Sequence, residues 1–68
     1  MEEHVYKIVE VVGTSSESID AAIRAGISRA SETVRNLRWF EVLHVRGYLA
    51  DGAVAQFQAT LKIGFTLD

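Results

Sequence analysis

The sequence predicts an α+β chain of order β-α-β-β, an antiparallel three-stranded sheet covered on one face by a single helix. Three observations carry this. The last third of the chain alternates apolar and polar almost without a break from Ala53 to Leu67, the signature of a strand with one buried face. Asp51-Gly52 precedes it, and both types tolerate the positive φ that a two-residue hairpin requires. Between residues 19 and 37 apolar side chains recur every three or four positions, the period of an amphipathic helix.

The first strand is read in His4-Val5-Tyr6-Lys7-Ile8-Val9-Glu10-Val11-Val12, rich in β-branched and aromatic residues, with Gly13 as its expected stop. Thr14-Ser15-Ser16-Glu17 offers hydroxyls that accept from free helix N–H groups, and Glu17, Ser18 and Asp20 suit the positive end of the helix dipole. The helix is expected over roughly Glu17 to Leu37, its stripe made by Ile19, Ala22, Ile23, Ile27, Ala30, Val34 and Leu37. Gly26 beside that stripe permits close approach to a sheet. The second strand is read from Trp39 to Leu49. Short loops place the last strand between the first two, with a right-handed crossover from strand one to strand two.

Size and composition narrow the function. Residues 1–68 read as one small domain, and chains this short rarely bury enough apolar surface without disulfides, a metal or oligomerisation. Cysteine is absent, and His4 and His44 lack the spacing of a metal site. Oligomerisation remains, in keeping with a hydrophobic content of 49%. Nine acidic residues against seven basic give a formal charge of −2, which argues against a nucleic-acid partner. Neither a membrane-spanning run nor a signal peptide is evident, so a soluble cytoplasmic protein is expected. Without a Ser-His-acid arrangement, phosphate loop or carboxylate pair, no enzyme activity is expected.

The candidate site follows from the hairpin. If Ala50 and Ala53 close it, Trp39 falls opposite Gly64 and Val45 opposite Gln58. Trp39, Glu41, Leu43, Val45, Gln56, Gln58, Thr60, Lys62 and Gly64 then share the face away from the helix, and Arg46 falls on the helix side. Trp39, the only tryptophan, thus points off its own core. It serves either as an anchor for another subunit or as a stacking platform for a flat ligand. A glutamine amide carries donor and acceptor together, suited to a ring edge with C=O beside N–H.

These residues resemble a known family. Gly13-Thr14-Ser15, Trp39-Phe40-Glu41-Val42 and Phe57-Gln58-Ala59-Thr60-Leu61-Lys62-Ile63-Gly64-Phe65 are similar in order and spacing to the dodecins, and the likeness runs from about Tyr6 to Leu67. It implies a hollow dodecamer of β-α-β-β subunits, each sheet partly wrapped around its helix. The family stores or buffers flavins such as FMN or riboflavin, stacked in pairs between tryptophans of symmetry-related subunits. Trp39 would be the stacking residue, Gln58 the partner of the isoalloxazine edge, and Arg46 a basic group near the ligand. Many bacterial members carry arginine where this chain has Thr66; a threonine hydroxyl there can still donate to the ligand, and riboflavin competes better with FMN. Some members also bind coenzyme A, a role for which Lys7, Arg29, Thr33 and Arg35 stand in compatible positions. The alternative is a structural or coenzyme A-binding assembly with Trp39 as interface anchor.

Overall fold

The computed structural model describes residues 3–67. Its elements are β1 (Tyr6–Ser15), α1 (Ile19–Ala30), β2 (Leu37–Ala50) and β3 (Ala53–Thr66). They form one three-stranded antiparallel sheet of order β1-β3-β2, so the last strand does lie in the middle. Asp51 and Gly52 close the hairpin with φ of 53° and 79°, and Ala50 pairs with Ala53 as the Asp-Gly pair requires.

Gly13 does not end β1, which runs on to Ser15. It is a contact point instead. A Cβ built there would collide with the Ala22 carbonyl oxygen and stand 2.9 Å from the Gly26 nitrogen. The two glycines thus let the helix backbone lie almost directly on the strand.

The helix begins later than the first hydroxyls suggest. Ser18 is its cap, extended at φ −166°, with Oγ accepting from the Ala21 N–H at 2.9 Å. Ser15 instead accepts from the Glu17 N–H at 2.9 Å and shapes the preceding turn. The helix also ends earlier than its apolar stripe, at Ala30 and not near Leu37. The Ser31 hydroxyl donates to the Ser28 carbonyl at 2.7 Å, and Glu32 and Thr33 donate to carbonyls three residues back, a tightening of the last turn. Asn36, at φ 64°, then turns the chain into β2. Leu37 therefore reaches the core from a strand.

That core is thin. Ala22, Ala30, Ala59, Leu61 and Ile63 are buried, with Val9, Val11, Ile23, Ile27, Leu37 and Phe57 packed around them. Among the described residues, only Leu61 and Ile63 are large side chains fully removed from solvent. The helix packs on β1 and β3. Phe40, Val42 and Val45 of β2 share the helix-side face through their partners Ile63, Leu61 and Ala59, yet Phe40 and Val45 are half exposed. No helix among the described residues is long and apolar enough to cross a membrane.

Candidate functional site

The register converts the outer sheet face into rows. From the β1 start they read Tyr6–Thr66, then Ile8–Gly64–Trp39, Glu10–Lys62–Glu41, Val12–Thr60–His44, Thr14–Gln58–Arg46 and Gln56–Tyr48. Trp39 falls opposite Gly64 as the hairpin count predicts. Three register shifts interrupt the β2–β3 ladder, two at residues of β2 and one at a residue of β3.

The first bulge lies at Arg38. Leu37 pairs with Phe65 and Trp39 with Gly64, so two residues that a regular strand would place on one face point to opposite sides. Leu37 enters the core and Trp39 goes outward. The second lies at Leu43, between Val42–Leu61 and His44–Thr60. It corrects the uninterrupted count: Val45 pairs with Ala59 on the helix side, and Arg46 pairs with Gln58 on the outer face. The cation and the amide assigned to a ligand thus stand side by side. The third, at Ala55, restores the original register before the turn.

Trp39 is 39% exposed. A Cβ on Gly64 would come within 2.6 Å of its Nε1 and closer still to two ring carbons. The indole therefore lies over bare strand backbone, which only glycine leaves open at this distance. Tyr6 meets it edge-on, ring centroids 6.3 Å apart and planes at 61°, a favoured arrangement of aromatic quadrupoles. Sequence reasoning placed Tyr6 in β1 without assigning it to the site; extending the register from β3 to β1 finds it.

Gln58 and Trp39 share a face but not a location. Six positions of β3 separate Gln58 from Gly64, about 20 Å at the rise of an extended strand. Within one chain the two side chains are therefore not neighbours. Lys62 occupies the intervening row between Glu10 and Glu41, where opposite charges on neighbouring strands are favourable. Thr66 is 5% exposed, and its hydroxyl oxygen is buried without a hydrogen-bond partner among the described residues.

The remaining candidates lie elsewhere. Arg29 and Thr33 line a cleft of about 470 Å³ between β1 and α1, floored by Gly13 and Gly26. Arg29 also lies 3.6 Å from Glu32. Arg35 lines a second groove of about 400 Å³ with Thr33, Asn36, Phe65 and Thr66. Lys7, on the helix-side face opposite Phe65, borders neither.

Such a fold and site define a small sheet-and-helix protein with an exposed indole on an open sheet face and a Gln58–Arg46 pair farther along that face. The chain belongs to the dodecin family, whose model matches residues 5–68. A curated dodecin from Thermus thermophilus is 48% identical over 64 residues, spanning 94% of this chain and 93% of that one. Among solved structures, the dodecin from Streptomyces davaonensis is 55% identical with a TM-score of 0.94, covering 98% of each chain. The dodecin from Streptomyces coelicolor is 51% identical with a TM-score of 0.93, covering 100% of this chain and 97% of that one.

Proposed function

We propose that the protein binds flavins and acts as a store, buffer and photoprotective sink for FMN, riboflavin or a related flavin in the cytoplasm, by binding and not by turnover. The observation that carries this reading is the indole of Trp39 lying over Gly64. One ring face rests on backbone, which leaves the other for a planar ligand, and such stacking contributes about 0.5–1.5 kcal/mol beyond area burial. A bound flavin supplies a light-absorbing, redox-active ring. Trp39 holds that ring in van der Waals contact and is oxidisable enough to give it an electron after excitation, so the excitation decays before it reaches oxygen.

The separation of Trp39 from Gln58 makes the site a product of assembly. We assign Trp39 to one subunit and the Gln58–Arg46 pair to another, in a homododecamer whose contacts cover Phe40, Val42 and Val45. Gln58 pairs with the ring edge and Arg46 supplies positive charge beside it. The covered hydroxyl of Thr66 favours a site that does not depend on gripping a phosphate there, which makes riboflavin a strong competitor of FMN. Titrating the protein into riboflavin tests the reading: fluorescence is quenched as sites fill, and flavin that stays bright beside excess folded protein rules it out.

Coenzyme A binding is a second reading, favoured by the cleft that Arg29 and Thr33 line. It predicts that Arg29→Ala weakens coenzyme A binding and leaves flavin binding intact. Coenzyme A affinity equal in both proteins removes it.

A further inference from the structure

Tyr6 has no part in the binding reading, yet it is the aromatic side chain that Trp39 meets edge-on, at 6.3 Å between ring centroids. One face of the indole is occupied by Gly64, and the other is the stacking face. Tyr6 is the aromatic neighbour left within the protein for exchange with the indole, the two rings meeting in a T-shaped arrangement. Tyr6 is itself 46% exposed, so its phenol has water within reach.

We infer that Tyr6 is a secondary electron donor to Trp39, a relay that carries an oxidising equivalent from the stacking indole to the solvent side of the sheet. The inference deepens the flavin reading and takes its physiological oxidant from it. That oxidant is photoexcited flavin; any one-electron oxidant reaching Trp39 serves equally. Loss of one electron leaves the indole as a cation radical. Tyr6 returns one electron to it, the phenolic O–H bond breaks, and the proton passes to water. Trp39 is then restored, and Tyr6 holds a neutral phenoxyl radical. A solution reductant of the thiol or ascorbate class gives a hydrogen atom to that radical. Alternatively, the electron held by the reduced oxidant returns with a proton from water. Either route leaves both side chains as they began.

Two physical facts favour the step. Electron tunnelling falls exponentially with distance, and these ring centroids are only 6.3 Å apart. A phenol free to lose its proton to water is also easier to oxidise than indole, so transfer from Tyr6 runs downhill. The gain is durability. A cation radical that lingers on Trp39 reacts irreversibly with water or oxygen, and the platform is lost.

Pulse radiolysis of the ligand-free protein with azide radical, which oxidises indole first, provides the test. In the wild type the tryptophanyl absorption should decay as the tyrosyl absorption rises, at a rate independent of protein concentration. Tyr6→Phe should keep the first signal and lose the rise, while Tyr48→Phe behaves as wild type. A rise that persists in Tyr6→Phe, or one that scales with concentration, overturns the relay. No flavin is involved, so this failure is distinct from a failure of flavin binding. In a second arm, flavin-loaded proteins are illuminated and oxidised Trp39 is counted by peptide mass spectrometry. Oxidation should accumulate several-fold faster in Tyr6→Phe at unchanged flavin quenching. Equal rates overturn the protective role.

Discussion

Trp39 and Gln58 project from the same face of one sheet, yet about 20 Å of β3 separates Gln58 from the glycine under the indole. If both act on one flavin, they come from different subunits. Trp39→Ala and Gln58→Ala proteins should each bind flavin poorly. Unfolding and reassembling them together should recover quenching in a fraction of sites, those that combine a native tryptophan from one parent with a native glutamine from the other. Were the pair to act within one subunit, no mixture could recover anything.

Gly64 sets the tilt of the platform. In Gly64→Ala the new methyl group occupies the space of the indole, so Trp39 must leave the strand surface. Flavin affinity should fall about tenfold or more, the equivalent of roughly 1.4 kcal/mol. The circular dichroism spectrum should remain that of the wild type. Unchanged affinity would mean that the ligand does not use this indole pose.

Arg46 reaches the outer face through the bulge at Leu43. With its charge beside the ligand, Arg46→Ala should weaken FMN about tenfold, in the range of a hydrogen bond to a charged group, and riboflavin less. Equal losses for the two flavins would place Arg46 away from the phosphate.

The uncovered part of β2 supplies the assembly prediction. Val45 and Phe40 are half exposed on the helix-side face, and a core with two large buried side chains leaves little stability to a lone subunit. Val45→Asp should therefore break the oligomer into smaller species on native mass spectrometry. An intact dodecamer would show that another surface holds the subunits together.

Helix placement depends on Gly13. Its Cα faces the Ala22 carbonyl and the Gly26 nitrogen, so Gly13→Ala forces backbone apart. A loss of about 1–3 kcal/mol or more is expected, as for other overpacked sites, read as a lower denaturation midpoint. A midpoint equal to that of the wild type would show that the helix can lift without cost.

Much of this arrangement is legible in the residues. Asp51-Gly52 fixes the hairpin, and counting outward from it puts Trp39 opposite Gly64. The alternation of β3 identifies Leu61 and Ile63 as core, and short loops fix the strand order. The bulges are hidden, because an extra residue at Arg38, Leu43 or Ala55 leaves no mark in composition. Leu43 and Val45 keep the period of an outward-facing strand, although the bulge sends Val45 to the other side. Val34 and Leu37 continue the helical stripe by coincidence beyond the point where Ser31 and Asn36 redirect the backbone. Gly13 resembles a strand stop because glycine serves equally for a turn and for close packing. Its role is settled by Gly26, which lies beyond the turn.

The central claim is that Trp39 is a flavin platform and not merely an anchor between subunits. Riboflavin fluorescence and native mass measured together on the wild type and on Trp39→Ala separate the two. The account predicts that the substituted protein remains dodecameric and leaves flavin bright, while the wild type quenches it. A Trp39→Ala protein that keeps its assembly and still quenches riboflavin would contradict the account.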